Sequence, residues 1–530
     1  MGLYLNPNAD ALKQSLRNEI YVDKSLIIAE LNKLAETDHD FICMSRPRRF
    51  GKSMVGNLIS AYYSKGCDTS NVFSRMKIGQ TPDYDKYLNK LNVIKLDLNG
   101  LYQNSKKKGE ETKFIRRIDE RVAEEFKVQF KNIKFKEDDN SIDQCILRVY
   151  SETGEKFVII IDEYDVLVRE QVPEQLFNDY LSFLNGLFKD TTLRPALALA
   201  YITGIMPIVR DKVQSKLNEF SEYTMLDSGQ FASYVGFTKE EVRELCGKYG
   251  MPFDEMERWY DGYDLSDEVS LLNPKSVVSS IERKKMANYW STTGSFEAIS
   301  DYIRLNFDGI RDDVVSMLAA GSVEVEVSSF TNTLNSFKGK DDVFTYLIHL
   351  GYLVYNDKDM TCRIPNEEVR QEWVKAVKFD DDYKQIFAVI NASKRLLDDT
   401  INGNAEAVAR ALDAANTQVT NPLTYNDEHC FQSAICLAYF YANTRYTLIK
   451  ELPTGKGYAD LVLIPYLPNI PAMVIELKHN KRSESALQQI KDRNYHEALN
   501  HFYDNLLFVG INYDEKTKEH TCKIERFVKG

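Results

Sequence analysis

The sequence predicts an α/β protein: a parallel sheet flanked by helices at the N-terminal end, a helical connector, and a second α/β unit at the C-terminal end. Three observations carry this. The apolar stretch 40–45 runs into the loop Arg46-Pro47-Arg48-Arg49-Phe50-Gly51-Lys52-Ser53, which opens a helix; residues 157–161 are wholly apolar and end in Asp162-Glu163; and the strand-like stretches 458–464 and 472–478 carry Asp460 on one and Glu476 with Lys478 on the other.

A chain of 530 residues exceeds one ordinary core, and a domain size of about 150 residues gives roughly three or four units. The expected division is 1–235, 236–390 and 391–530. With 43% hydrophobic and 28% charged residues and only 14 prolines, most of the chain is expected to fold. The eight cysteines (43, 67, 145, 246, 362, 430, 436 and 522) show no CxxC spacing, which supports neither a zinc knuckle nor a disulfide scaffold and favours a reducing compartment. Residues 1–6 lack a basic-then-apolar leader, and Asn6 stands where a myristoylation signal carries Ser or Thr. The apolar run 195–209 is too short for a bilayer and contains Thr203, Gly204 and Pro207. A cytoplasmic protein without membrane contact is therefore expected. A formal charge of -12 argues against wrapping nucleic acid by overall charge and leaves room only for local contact.

In the N-terminal third, Met54, Val55, Leu58, Ile59 and Tyr62 recur at helical spacing after Gly51-Lys52-Ser53. Strand, loop and helix in that order form a phosphate-binding loop: backbone N–H groups and the helix N-terminus surround the phosphates, the lysine reaches the β- and γ-phosphates, and the hydroxyl binds magnesium. Lys52 and Ser53 take those roles. Arg46 and Pro47 depart from the usual first glycine, so the loop alone also fits a chance helix start. Arg46 and Pro47 are expected to stiffen the loop entry and add positive charge near the phosphates. The second strand, 157–161, has the continuous apolarity of a central parallel strand; Asp162 at its end suits the magnesium shell and Glu163 the orientation of the attacking water. Residues 93–97 and 197–202 supply two more strands, the latter placing Thr203 as a γ-phosphate-sensing residue. Arg210 follows as a γ-phosphate contact or a surface ion pair. The mixed-charge stretch 106–136 reads as a solvated helix.

Between residues 236 and 378 helical patterns recur at 239–249, 276–285, 295–304 and 341–349, followed by a hairpin-like stretch at 352–364. This suggests a helical lid and a winged-helix-like unit without catalytic residues, suited to relaying nucleotide state.

In the C-terminal third, 446–452, 458–464 and 472–478 read as strands. Period two puts Val474, Glu476 and Lys478 on one face and Met473, Ile475 and Leu477 on the other. Charges on a buried strand require a metal or an ion-pair partner, and Asp460 on the adjacent strand is the natural one. Two carboxylates can hold magnesium, and an ammonium beside them can orient water and offset phosphate charge. Glu-x-Lys alone fits a structural salt bridge; Asp460 and the downstream helix containing Gln488 and Gln489 tilt the reading to a nuclease. Glu451 is a candidate outer carboxylate, and His429 and His479 read as supporting or surface residues.

Tyr21-Val22-Asp23-Lys24, the loop 46–53, Ile161-Asp162-Glu163-Tyr164-Asp165 and Ile202-Thr203-Gly204-Ile205 resemble the AAA-ATPase-like family of bacterial proteins, whose own form of the Walker loop is R-P-R-R-F-G-K-[ST]. The resemblance continues through 231–238, Trp259-Tyr260-Asp261-Gly262-Tyr263, Asn273-Pro274 and Leu350-Gly351-Tyr352-Leu353, read as packing. It implies ATP at Arg46, Pro47, Arg48, Arg49, Phe50, Gly51, Lys52, Ser53, Met54, Asp162 and Thr203, with magnesium at Ser53 and Asp162. Residues 426–495 resemble the PD-(D/E)xK nuclease domain that accompanies such ATPases, a restriction-endonuclease-like fold. Glu428 then matches the acid on the first helix, Asp460 and Glu476 the metal ligands, Lys478 the catalytic lysine and Gln489 the helix glutamine. Tyr458 stands where the family's G-R-x-D has arginine.

The expected function is ATP-regulated, magnesium-dependent phosphodiester cleavage, DNA preferred to RNA, with a homo-oligomer left open. The alternative is a nucleotide-switched signalling or nucleic-acid-binding protein whose nuclease-like domain is a non-catalytic module.

Overall fold

The computed structural model describes residues 2–170, 172–208, 217–265, 269–290, 297–305, 307, 309–328, 330, 337–378, 383–418, 428–454, 457–466, 470–492, 499 and 505–527. They form two compact units, residues 1–294 with 324–368, and residues 295–323 with 369–530.

The first unit is built on a parallel sheet of β1 (Phe41–Ser45), β2 (Asn92–Asp97), β3 (Phe157–Asp162), β4 (Leu197–Gly204) and β5 (Ser221–Tyr223), in the order β2-β3-β4-β1-β5. Every residue of β1, β3 and β4 is buried, as parallel strands covered on both faces require. Period two sorts Ile94, Leu96, Ile159, Ile161 and Ile202 to one face, where they share a core with helices Phe114–Gln129, Ile142–Thr153 and Glu174–Phe188. Helix Lys52–Tyr63 covers the other face, with Gly56 against Ile160. The mixed-charge stretch thus contains an amphipathic helix: Phe114, Ile118, Val122 and Phe126 are buried and the charges take the remaining face. β5 was not apparent in the sequence, being three half-buried residues at the sheet edge.

Beyond the sheet, helices Lys239–Tyr249, Phe253–Tyr260 and Pro274–Arg283 enclose a satellite core with Ile20, Leu272 and Tyr289. Thr238 and Glu241 form a capping box on the first of these. Lys24 pairs with Glu241 at 2.5 Å and donates to the Ser233 carbonyl at 2.8 Å, so the last residue of the Tyr21-to-Lys24 motif fixes this helix to the N-terminal segment. The hairpin expected at 352–364 is Val354–Asn356 paired antiparallel with Thr361–Arg363.

In the second unit β6 (Tyr446–Thr454), β7 (Gly457–Pro465), β8 (Ala472–His479), β9 (Leu506–Asp514) and β10 (Glu519–Arg526) form a mixed sheet in sequence order, parallel only between β8 and β9. Helix Ser483–Asp492 lies on one face, where Leu487 and Ile490 share a core with Val462, Val474 and Phe508. Among the described residues no helix is long and apolar enough to cross a membrane.

Candidate nucleotide and nuclease sites

The candidate nucleotide site lies at the carboxyl ends of β1, β3 and β4, the usual place for a ligand in an open parallel sheet. Gly51 caps the helix at φ 93°, a left-handed conformation that L side chains rarely adopt. It leads Lys52 and Ser53 into the first turn, where free N–H groups favour an anion. A cavity of about 870 Å³ opens here, lined among others by Arg48, Gly51, Lys52, Ser53, Glu163 and Arg169, large enough for a nucleotide. Its apolar end includes Ile20, Val22, Phe237 and Val278.

The Lys52 ammonium is buried and donates to the carbonyls of Arg46 and Pro47, each at 3.0 Å. Burial pulls its pKa down, while Glu163, Asp165 and Asp162 pull it up. The Ser53 hydroxyl meets the Asp162 carboxylate, whose pKa burial raises against that hydrogen bond and the Lys52 charge. A hydroxyl and a carboxylate side by side are a hard-oxygen donor set that fits magnesium. Glu163 stands at φ 55°, a strained position for a residue with a side chain, and its carboxylate pairs with Arg169. Burial raises the Glu163 pKa, and Lys52 and Arg169 oppose the rise. The Thr203 hydroxyl donates to the Met44 carbonyl at 2.8 Å, so its proton is committed to β1 in this state.

The five residues before Gly51 do different work from one another. The expectation that Arg46 adds charge beside the phosphates gives way to an inward path: its side chain is fully buried and donates to the carbonyls of Ser45 (2.8 Å), Tyr223 (3.3 Å) and Thr224 (2.9 Å). Burial lowers its pKa to about 10. Pro47 is buried against Gly351 and Phe50 packs edge-on to Tyr263, ring centroids 5.0 Å apart. Arg49, at φ 72°, donates to the Tyr289 carbonyl at 3.5 Å. Arg48 and Met54 are exposed at the cavity wall. The aromatic and glycine motifs at 259–263 and 350–353 are therefore braces for the loop. Arg210 lies outside the described residues.

In the second unit Glu476 sits on β8 with 1% of its surface exposed. Lys478 donates to its Oε1 at 2.8 Å and Gln489 from helix Ser483–Asp492 donates to the same oxygen. The β7–β8 ladder runs to Leu461 opposite Ile475; beyond it the Asp460 carboxylate takes over, accepting the Leu477 N–H at 2.6 Å. Gln432 donates to the Asp460 carbonyl at 2.8 Å, which fixes helix Glu428–Ala438 beside β7. Glu428 begins that helix; its side chain and that of His429 lie outside the described residues.

Thus Asp460, Glu476, Lys478 and Gln489 come together. Glu451 is exposed at φ 51°, and His479 packs against Tyr513, ring centroids 5.9 Å apart. Among the described residues no three His, Cys, Asp or Glu side chains cluster as a metal cage; two carboxylates with water suffice for magnesium. Sequence reasoning missed Arg169 and Gln432. The spacing Asp165-x-x-x-Arg169 was the available signal for the first; nothing marked the second.

Residues 13–214 match the family model described as predicted AAA-ATPase, and residues 426–522 match that of the PD-(D/E)XK nuclease superfamily. No curated protein matches. Among solved structures, the Aeropyrum pernix ORC1 protein in complex with DNA is 12% identical, covering 88% of this chain and 95% of that one at a TM-score of 0.25. The ORC2 protein of the same organism is 9% identical in its ADP form and 10% in its ADPNP-ADP complexes, each covering 71% of this chain and 99% of that one at a TM-score of 0.27. Scores this low leave the fold to be argued from the sheet order and the two matched segments.

Proposed function

From a chain that joins a predicted AAA-ATPase domain to a PD-(D/E)XK nuclease-superfamily domain, we propose a nucleotide-governed nuclease. ATP bound at Gly51, Lys52 and Ser53 controls magnesium-dependent cleavage of nucleic acid at Asp460, Glu476 and Lys478. The apolar end of the first cavity takes the base and the helix N-terminus the phosphates, with Lys52 exchanging the carbonyls of Arg46 and Pro47 for phosphate oxygens. Ser53 and Asp162 hold magnesium there, and Glu163 orients the water for hydrolysis. The segment 236–390 relays the nucleotide state.

At the second site bound magnesium supplies Lewis-acid polarisation and water activation. Asp460 and Glu476 hold it, Lys478 orients the water and offsets phosphate charge, and Gln489 fixes the Glu476 carboxylate. The observation that carries the reading is the burial of Glu476 with Lys478 and Gln489 converging on one of its oxygens. A buried charge of this kind contributes little net stability, so a chemical role is the better reason for it. DNA is the first substrate to test, ahead of RNA.

The same convergence is also the observation behind a second reading, a nucleotide-switched binding or signalling protein, because it matches a closed ion pair. Purified full-length protein with plasmid, linear DNA and RNA in magnesium separates the two. The nuclease reading expects products from wild type and none from Glu476→Ala; identical outcomes for both proteins overturn it.

A further inference from the structure

Arg169 ends the short helix Val166–Arg169 that follows Asp162-Glu163-Tyr164-Asp165, and its guanidinium turns back on two unlike carboxylates. Asp165 is 1% exposed and receives Arg169 Nε at 3.0 Å on the oxygen that also accepts the N–H groups of Ile205 (3.1 Å) and Met206 (2.9 Å). A β-carbon at Gly204 would lie 2.6 Å from its other oxygen. Asp165 is therefore a fixed anchor, tied to the chain that leaves β4. Glu163, by contrast, lines the nucleotide cavity, as does Arg169 itself, with Gly51, Lys52 and Ser53. One edge of the guanidinium is anchored while the other rests on a carboxylate at the cavity wall.

The charge balance points the same way. Lys52 feels three carboxylates, Glu163, Asp165 and Asp162, and the Arg169 cation, and Asp162 in turn feels Lys95 and Asp97. A terminal phosphate entering this site needs cationic partners, and a planar guanidinium can keep its Nε bond to Asp165 while its terminal N–H groups change acceptor.

We propose that Arg169 is a nucleotide-sensing residue: the terminal phosphate of a nucleoside triphosphate displaces Glu163 from its guanidinium, and a diphosphate does not. The exchange frees Glu163 to accept a hydrogen bond from the attacking water, so the empty and diphosphate states hold the glutamate in an inactive pair. This rests on the reading of Gly51, Lys52 and Ser53 as the phosphate site.

The test is a titration of the full chain, in magnesium, with ADP and with a non-hydrolysable ATP analogue. Arg169→Ala is expected to lower the preference for the triphosphate by about tenfold or more and to leave ADP affinity within about twofold, since the diphosphate does not reach this residue in the proposal. Glu163→Gln, which removes the competing charge but keeps the shape, is expected to raise the preference several-fold. A preference unmoved by both variants overturns the proposal. Should Arg169→Ala fail to fold because the buried Asp165 loses its ion-pair partner, Glu163→Gln decides alone: a rise supports the exchange, and an unchanged ratio overturns it. Lys52→Ala separates the underlying reading, because undiminished binding of both nucleotides there would remove the phosphate site itself.

Discussion

Gly351 and Pro47 approach so closely that a β-carbon at Gly351 would lie 2.8 Å from both Cβ and Cγ of Pro47, and Gly351 stands at φ 84°. The phosphate loop is thus seated against the turn that ends helix Lys340–Leu350, on one side by Pro47 and on another by Phe50 against Tyr263. A loop lacking the usual first glycine gains its shape from these packing partners.

Gly351→Ala should therefore lower stability by about 1–3 kcal/mol, from the left-handed backbone and the overlap with Pro47. It should also weaken nucleotide binding, because the strain falls on the loop. Denaturant unfolding and nucleotide titration on the same preparation check both effects.

Lys52→Ala should reduce ATP turnover by about a hundredfold or more, as expected for loss of a charged group that stabilises the transferring phosphoryl. Phosphate release in magnesium is the readout. Arg46→Met has a different expected signature: the buried guanidinium holds Ser45, Tyr223 and Thr224, so the melting temperature should move more than the phosphate chemistry.

Gln489→Ala should lower cleavage by about 10- to 100-fold, the usual effect of removing a group that orients a metal-binding carboxylate. Because Gln489 touches Glu476, the magnesium concentration for half-maximal cleavage should rise as well. A magnesium titration of cleavage rate measures both.

Asp119 offers a pH test of the fold. Burial raises its pKa to about 6, against the hydrogen bond it accepts from the Ile142 N–H. The folded state keeps this proton after the unfolded chain has lost it. Its contribution is full below the unfolded pKa of about 4 and falls as pH rises through about 6. Asp119→Asn keeps an acceptor for Ile142 and removes the charge, so it should stabilise the protein by up to about 2 kcal/mol at pH 7 and leave it unchanged near pH 3. Urea unfolding at the two pH values checks the sign.

How far the sequence showed this site depends on what kind of signal each residue leaves. The places of Lys52, Ser53 and Asp162 were readable because each follows a short apolar strand, and β1, β3 and β4 lie where those patterns indicated. The shared face of Glu476 and Lys478 was readable from strand alternation, since two charges on one face of an apolar strand need a reason, and Asp460 from its place on the adjacent strand. The direction of the Arg46 side chain was not readable: two of its three acceptors lie on β5 and just after it, and a three-residue half-buried strand leaves no pattern. Gln432 was equally silent, because it acts on the Asp460 carbonyl and any residue has one. The brace of Pro47 on Gly351 joins positions about 300 residues apart, a contact that no local periodicity encodes.

Control of cleavage by nucleotide state is measured by the rate of DNA cleavage in magnesium with ATP, with ADP and without nucleotide, for wild type and Lys52→Ala. Wild type is expected to cleave at different rates in the three conditions and Lys52→Ala at one rate in all of them. Wild-type cleavage indifferent to nucleotide would contradict such control.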